Sequence, residues 1–438
     1  MNPNSPDSRR VAFATLGCKL NLFETTALGA AFREREYELV PFEASADYYV
    51  INSCTVTSRS DSKSRQLVRR IRRREPEARI IVTGCYAERA PEELSTLDGV
   101  YLVAGNRAKF AIPELLDAPS LPRIARPSEG EDFSFPSVPV DDFGEYTRAF
   151  LKVQDGCNFS CAFCAIKAAR GVSRSLPMRE VLDQAQRLAE RGYRELTLTG
   201  VDPGAWGRDL SDRPTLAQLV HRLTKIEELE RIRLSSVGVQ DYDDPLIELI
   251  TQHPKMARHV HLPVQSGDDS VLRAMRRGSR RAQLDRLVDR LVAGCADLRF
   301  GGDFMVGFPG ETRAAFDTTR RLLQEGPWSY AHVFPFSPRP GTRAVEMGDQ
   351  VPLAERNLRG SILRELMQGK DLDYRASRVG RVEEVLVESR RESGTHWASG
   401  LTSHYVRVVF PLEAERAGQF VPVCVTRIDG ERTEGLAA

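Results

Sequence analysis

Three cysteines, Cys157, Cys161 and Cys164, stand within one short stretch, "DGCNFSCAFC", spaced C-x₃-C-x₂-C. Thiolates clustered this closely, flanked by polar residues, are a metal-binding arrangement and not a core pattern. A structural zinc takes four protein ligands, and no nearby Cys or His supplies the fourth. A 4Fe–4S cube one ligand short fits better. Its fourth iron stays open for a substrate-like ligand, much as a catalytic zinc keeps an open position.

Three further cysteines lie far apart in sequence but share one context. Cys18 follows "FATLG", Cys54 follows "YVINS" and Cys85 follows "IIVTG", each at the end of an apolar strand and before a helical stretch. In an open parallel sheet those strand ends line one rim, where ligands bind. The trio is therefore expected to converge as a second three-thiolate site. Cys295 and Cys424, in "LVAGCADLRF" and "VPVCVTRI", have no such partners and are expected in the core.

The elements that must position these residues fall into successive segments. Residues 1–116 alternate short apolar runs with amphipathic stretches, which predicts an open parallel α/β domain. Residues 117–145 are rich in Pro, Ser, Gly and acidic residues and read as a linker. Residues 146–368 contain six strand-like runs, "AFLKVQ", "RELTLTG", "RIRLSS", "RHVHLPVQ", "RFGGDFMVGF" and "SYAHVFPF", separated by helical stretches. Six βα repeats predict a partial (β/α) barrel with functional residues at the strands' C-terminal ends. Cys157 to Cys164 follow the first of these strands. Residues 369–438 are β-rich and predict a small antiparallel β-barrel. The fold class expected is therefore α/β with an appended β-barrel.

With 438 residues and a net charge of +1, the chain has room for two or three domains and carries no global field toward nucleic acid. Any RNA contact must use a local patch. No run approaches a membrane span, and "MNPNSPDSRR" has no apolar signal core, so a cytoplasmic protein with no membrane partner is expected. Eight cysteines are too sparse for a disulfide scaffold.

The spacing C-x₃-C-x₂-C with an aromatic, Phe163, before the last cysteine resembles the radical S-adenosylmethionine superfamily. The resemblance implies that the open iron chelates S-adenosyl-L-methionine, that reduction yields a 5′-deoxyadenosyl radical, and that Phe163, Gly200 and Ser236 lie near the cofactor. Gly200 and Ser236 read equally well as ordinary strand-end residues. Two open-iron clusters, one for a radical and one to hold sulfur, suggest sulfur insertion. From about residue 10 to residue 428 the chain resembles the methylthiotransferases, through "TLGCKLNLFET", "GCNFSCAFC", "RGVSRS", "HLPVQSGDDSVLRAMRRG", "GFPGET" and "RPGTRA". "LGCKLN" with "GLTSHYVRV" looks most like the branch acting on N6-threonylcarbamoyladenosine in tRNA.

That resemblance implies two 4Fe–4S clusters, held by Cys18, Cys54 and Cys85 and by Cys157, Cys161 and Cys164. It also implies S-adenosyl-L-methionine, a tRNA substrate methylthiolated at C2 of adenosine-37, and a C-terminal RNA-binding barrel of the TRAM type. A low-potential electron donor such as flavodoxin or ferredoxin goes with it. The alternatives are the branches acting on isopentenyladenosine or on ribosomal protein S12, and a non-catalytic redox-sensing RNA-binding protein. Two departures border the expected site: Ile166-Lys167 stands where the family usually has Ile-Pro, and "GVDPGAWGRD" where Asn, Gln or Ser is common. The stretch Arg59–Glu75 carries eight basic and two acidic residues with a helical apolar stripe at Leu67, Val68 and Ile71. It reads either as a solvated helix face or as a phosphate-contacting edge.

Overall fold

A computed structural model of the chain describes residues 9–126, 140–144, 146–388, 397–412 and 416–438. The chain forms two compact units, Met1–Val140 with Asp155–Arg174 and Ser337–Val345, and Asp141–Gln154 with Ser175–Phe336 and Glu346–Ala438. Residues 127–139 and 145 of the span expected as a linker lie outside the described residues. No helix among the described residues is long and apolar enough to cross a membrane.

The first unit is built on six parallel strands, β1 (Arg10–Thr15), β2 (Glu38–Val40), β3 (Tyr48–Ser53), β4 (Arg79–Gly84), β5 (Val100–Ala104) and β6 (Ile124–Ala125), in the order β2-β1-β3-β4-β5-β6. Every residue of β3 is buried, as a strand covered on both faces requires. Helix α1 (Lys19–Glu34) brings Leu28 and Phe32 to Val11, Val50 and Ile81. Helix α2 (Ser58–Arg74) brings Val68 and Ile71 to Ala12, Tyr49 and Val82. The two helices thus cover the sheet through alternate residues of the same strands, which makes it doubly wound. The order reverses between β1 and β3, and such a switch point is where open α/β sheets bind ligands. Cys18 and Cys54 follow those two strands.

The second unit carries β7 (Arg148–Lys152), β8 (Glu195–Thr199) and β9 (Arg231–Leu234) in one parallel sheet, and β10 (His259–Gln265), β11 (Arg299–Val306) and β12 (Trp328–Pro335) in another. Spatial order follows chain order without reversal, which is barrel topology. The halves are bridged by backbone bonds from Ile232 N–H to Lys255 O (2.7 Å) and from Ala257 N–H to Ile232 O (2.9 Å). Helix α3 (Leu353–Ala376) runs through the position where the sequence texture changes, at residue 369.

The last five strands, β13 (Val382–Val387), β14 (Trp397–Thr402), β15 (Arg407–Pro411), β16 (Phe420–Asp429) and β17 (Arg432–Ala437), close into a barrel around Val385, Val408, Phe410, Val421 and Val423. Gly400 lets β13 approach: a Cβ there would stand 2.3 Å from Leu386 O. Cys424 and Cys295 are half-buried and not core residues as expected. Along β16, Val423 and Val425 point inward, so the period-2 alternation turns Cys424 outward. Cys295 caps the C-terminus of the helix Arg281–Gly294, where enclosure is incomplete.

The β14–β15 turn of this barrel lies under the first residues of β8 to β11. Glu195, fully buried, meets Arg233 Nε at 3.0 Å and Arg231 Nη1 at 3.2 Å. The guanidinium groups then donate to turn carbonyls: Arg231 to Leu401 O (3.1 Å), Arg233 to Thr402 O and Ser403 O (both 3.1 Å), and Arg299 to Tyr405 O (2.8 Å). Burial disfavours the Glu195 charge, but Arg233, Arg231 and Arg148 outweigh it and hold the carboxyl below its usual range.

Candidate iron–sulfur centres

The three strand-end cysteines of the first unit are brought level by register. Thr15 pairs with Asn52 and Asn52 with Thr83, so Cys18, Cys54 and Cys85 follow aligned ends of the neighbours β1, β3 and β4. Neighbouring strands stand about 4.8 Å apart. Cys18 occupies the N-cap of α1, and Cys85 opens the short helix Cys85–Arg89. Gly17, with φ +113°, lets the ends of β1 and β3 close: a Cβ there would lie 2.8 Å from Cys54 Cβ and 3.1 Å from its Sγ. Asn21 staples the same two ends, its Nδ2 donating to Leu16 O (2.7 Å) and Ser53 O (3.1 Å).

Cys54 and Cys85 are buried and Cys18 is exposed, so the trio opens to one side. Burial pushes the Cys54 thiol up, a hydrogen bond from the Val56 backbone opposes this, and Cys85 and Cys18 push it further up. The three sulfurs therefore share one electrostatic environment. Cys85 Sγ accepts from Arg170 Nε at 3.2 Å and from Asn106 Nδ2 at 3.6 Å. Arg170 is itself buried, donating to Glu24 Oε1 (2.7 Å), Asn21 Oδ1 (2.9 Å) and Asp155 Oδ1 (3.1 Å). Burial works against its charge, but Cys85, Glu24 and Asp155 outweigh that and keep it protonated.

Arg170 ends the helix Ile166–Arg170, which begins directly after the second trio. Cys157 N–H donates to Gly171 O, Cys164 N–H to Cys161 O (both 3.1 Å), and Ile166 N–H to Cys164 Sγ (3.4 Å). Lys167 folds back onto the loop, its Nζ 3.3 Å from Asn158 O and 3.4 Å from Ser160 Oγ. That side chain pins the loop between Cys157 and Cys161. The segment Ser337–Val345 braces both trios. Ala344 N–H donates to Ala162 O (2.8 Å), while Arg339 donates to Thr55 Oγ1 (2.6 Å) and Asp61 beside Cys54.

No disulfide joins any of these cysteines. Among the described residues only His261, Asp303 and His332 bring three ligand atoms within 4.8 Å of one another. Neither cysteine trio is that tight. A cube spreads its thiolates over different irons, so ligand sets wider than a single-ion cage, with N–H donors on sulfur, fit it better than zinc.

The remaining expected residues lie where strand ends place them. Phe163 is half-buried in the cysteine loop, and Ser236 is half-buried after β9. Gly200 ends β8 against Gln154, whose carbonyl oxygen a Cβ would meet at 2.9 Å. Two residues on, Asp202 N–H donates to Gln154 Oε1 (2.8 Å). Burial, then the charge of Asp241, push the Asp202 carboxyl up to about 6. Arg170 and Arg339 were not singled out from sequence. Both stand inside quoted motifs, "RGVSRS" and "RPGTRA", which was the available signal.

A model of the uncharacterized protein family UPF0004 matches residues 10–105, and one of the radical SAM superfamily matches residues 151–323. The chain is 37% identical over 433 residues to the threonylcarbamoyladenosine tRNA methylthiotransferase MtaB of Bacillus subtilis (strain 168), covering 97% of this chain and 95% of the relative. The chain belongs to the radical S-adenosylmethionine methylthiotransferases. The MtaB of Aquifex aeolicus (strain VF5) is 39% identical over 381 residues, covering 86% of this chain and 92% of the relative. The tRNA-2-methylthio-N(6)-dimethylallyladenosine synthase of Opitutus terrae (strain DSM 11246 / JCM 15787 / PB90-1) is 31% identical over 457 residues, covering 95% of each. A solved radical S-adenosylmethionine methyltransferase, TsrM from Kitasatospora setae, superposes with a TM-score of 0.54 at 14% identity, over 77% of this chain and 74% of that one. It shares the fold. Methylthiotransferases of this kind work with S-adenosyl-L-methionine and two 4Fe–4S clusters.

In this methylthiotransferase the basic helix α2 is partly neutralised. Arg65 pairs with Glu93, Arg72 with Asp98 and Arg74 with Glu43. Arg69, Arg70 and Arg73 are exposed, and no ion pair engages them among the described residues.

Proposed function

We propose that the protein methylthiolates C2 of N6-threonylcarbamoyladenosine at position 37 of tRNA. In this reading Cys18, Cys54 and Cys85 hold one 4Fe–4S cluster and Cys157, Cys161 and Cys164 the other. Phe163, Gly200 and Ser236 border the S-adenosyl-L-methionine site. Residues 1–116 form the cluster-binding domain, 146–368 the radical domain and 369–438 an RNA-binding barrel. The electron donor is of the flavodoxin or ferredoxin type, and the setting is cytoplasmic.

What carries the reading is that both cysteine trios belong to one compact unit and are joined through Arg170, which touches Cys85 and ends the helix that follows Cys164. When bound, the clusters and S-adenosyl-L-methionine supply the radical and the sulfur that replacing an unactivated aromatic C–H demands. The chain's own residues position these groups. Arg170 sets a cation on the Cys85 sulfur, Asn106 adds a second donor to it, and Gly17 leaves the approach to Cys54 clear. Exposed Cys18 marks the open side of the N-terminal set.

The test is a reconstituted Cys18→Ala/Cys54→Ala/Cys85→Ala variant. Iron per chain should fall from about eight to about four, the loss of one cube. Dithionite-driven release of 5′-deoxyadenosine should persist while methylthiolated nucleoside disappears from threonylcarbamoyladenosine-containing tRNA. Full iron retention would remove these cysteines as ligands and the mechanism with them.

A further inference from the structure

One face of the half-barrel β10-β11-β12 carries a continuous stripe of polar and aromatic side chains that the cluster chemistry does not use. On β12, Val333 and Pro335 turn toward α3, where a Cβ on Gly360 would stand 3.3 Å from Pro335 Cγ. Tyr330, His332 and Phe334 alternate with them and face the other way. Their ring centroids are 5.7 Å apart (Tyr330 to His332) and 6.3 Å apart (His332 to Phe334). His261 of β10 and Asp303 of β11 share that face. Asp303 Oδ1 lies 3.0 Å from His261 Nε2 and 3.1 Å from His332 Nδ1. The Tyr330 hydroxyl meets His261 Nδ1 at 3.0 Å and His259 Nε2 at 2.7 Å.

The stripe runs from closed to open. His259 and His261 are buried, whereas the His332 side chain is 58% exposed and Phe334 is 39% exposed. Burial disfavours the Asp303 charge, but the hydrogen bonds from His261 and His332 outweigh it, so the carboxyl is held well below the usual range. A carboxylate on Nδ1 fixes an imidazole's orientation and leaves Nε2 on the opposite edge, facing outward as a hydrogen-bonding atom. An exposed aromatic beside such an imidazole edge suits an unstacked purine. The ring covers the base, and the imidazole edge hydrogen-bonds what the base carries.

We propose that His332, oriented by Asp303 and backed by His261, binds the anionic N6 substituent of the substrate adenosine, with Phe334 against the adenine ring. This inference rests on the threonylcarbamoyladenosine reading above. That substituent carries a carboxylate, a hydroxyl and a urea, which together offer Nε2 both donors and acceptors. The Opitutus terrae relative is named for a dimethylallyl substituent, a hydrocarbon that would leave such an imidazole desolvated and unpaired. A site built on hydrogen bonding rejects the analogue that cannot answer it. Here His332 is a specificity-determining residue and Asp303 a positioning residue.

The test uses reconstituted full-length enzyme with two full-length tRNAs, one bearing threonylcarbamoyladenosine and one bearing dimethylallyladenosine. His332→Leu should raise KM for the first at least about tenfold and shrink the preference for it over the second. Asp303→Asn should move the preference in the same direction by less, and His332→Gln should restore part of it. Iron content and melting temperature at wild-type values establish that each variant is folded. Unchanged preference in folded His332→Leu, while the wild type modifies the first tRNA, overturns this inference and leaves the proposed function standing. A wild type that modifies neither removes both. Tight uptake of one zinc ion per chain that His332→Leu abolishes also overturns it, because the ring nitrogens would then be metal ligands.

Discussion

Arg170 donates at once to Cys85, Glu24, Asn21 and Asp155 from a buried position. Replacing it with Met would take this shared cation away from Glu24, Asp155 and the Cys85 sulfur together. Removing one partner of a buried ion network costs about 3–5 kcal/mol. We expect Arg170→Met to lower the melting temperature of the apoprotein and to reduce iron retention. Arg170→Lys should recover only part, since an ammonium cannot reproduce the fork. An unchanged melting curve would show the network to be incidental. The cysteines were legible because a thiol at a strand end has few other reasons to be there. The arginine was not, because Glu24 lies 146 residues away in sequence and only the fold brings it near.

Among elements, the strands announced by unbroken apolar runs are all present. Those that escaped notice are β2 and β6, two or three residues long, and β14 and β17, whose glycines and polar residues break the apolar signal. Gly400 is there because β13 passes too close for a side chain, a tertiary demand invisible locally. Helix α2 shows the same limit for charge. Its basic residues could be counted from sequence, but not which of them the unit already pairs. Changing Arg69, Arg70 and Arg73 together to Gln should weaken tRNA binding and lower the log–log salt slope by roughly two to three, at about 0.7–0.9 for each phosphate no longer neutralised. Arg72→Gln, which gives up an exposed pair with Asp98, should do much less. Filter binding across a salt series checks both, and parallel slopes for wild type and the triple variant would return the helix to solvent.

At the scale of the whole molecule, the closed barrel is joined to the strand N-termini by the Glu195 network and the turn carbonyls. Glu195→Gln leaves Arg231 and Arg233 buried without their counter-charge. We expect a loss of about 3–5 kcal/mol and a lower calorimetric transition for the second unit. A variant melting like the wild type would mean that the carbonyl bonds suffice. The same turn stacks the Tyr405 ring on His259, with centroids 4.9 Å apart, and so stoppers that end of the half-barrel. The opposite ends of these strands lie up to eight residues away, or roughly 26 Å at about 3.3 Å per residue. If the stoppering barrel is also the RNA grip, the enzyme works as a caliper: one jaw on the tRNA body and the far strand ends on adenosine-37, with the strand length as the gap between them. Substrates too short to bridge that gap would lose the far jaw, however well their adenosine is decorated.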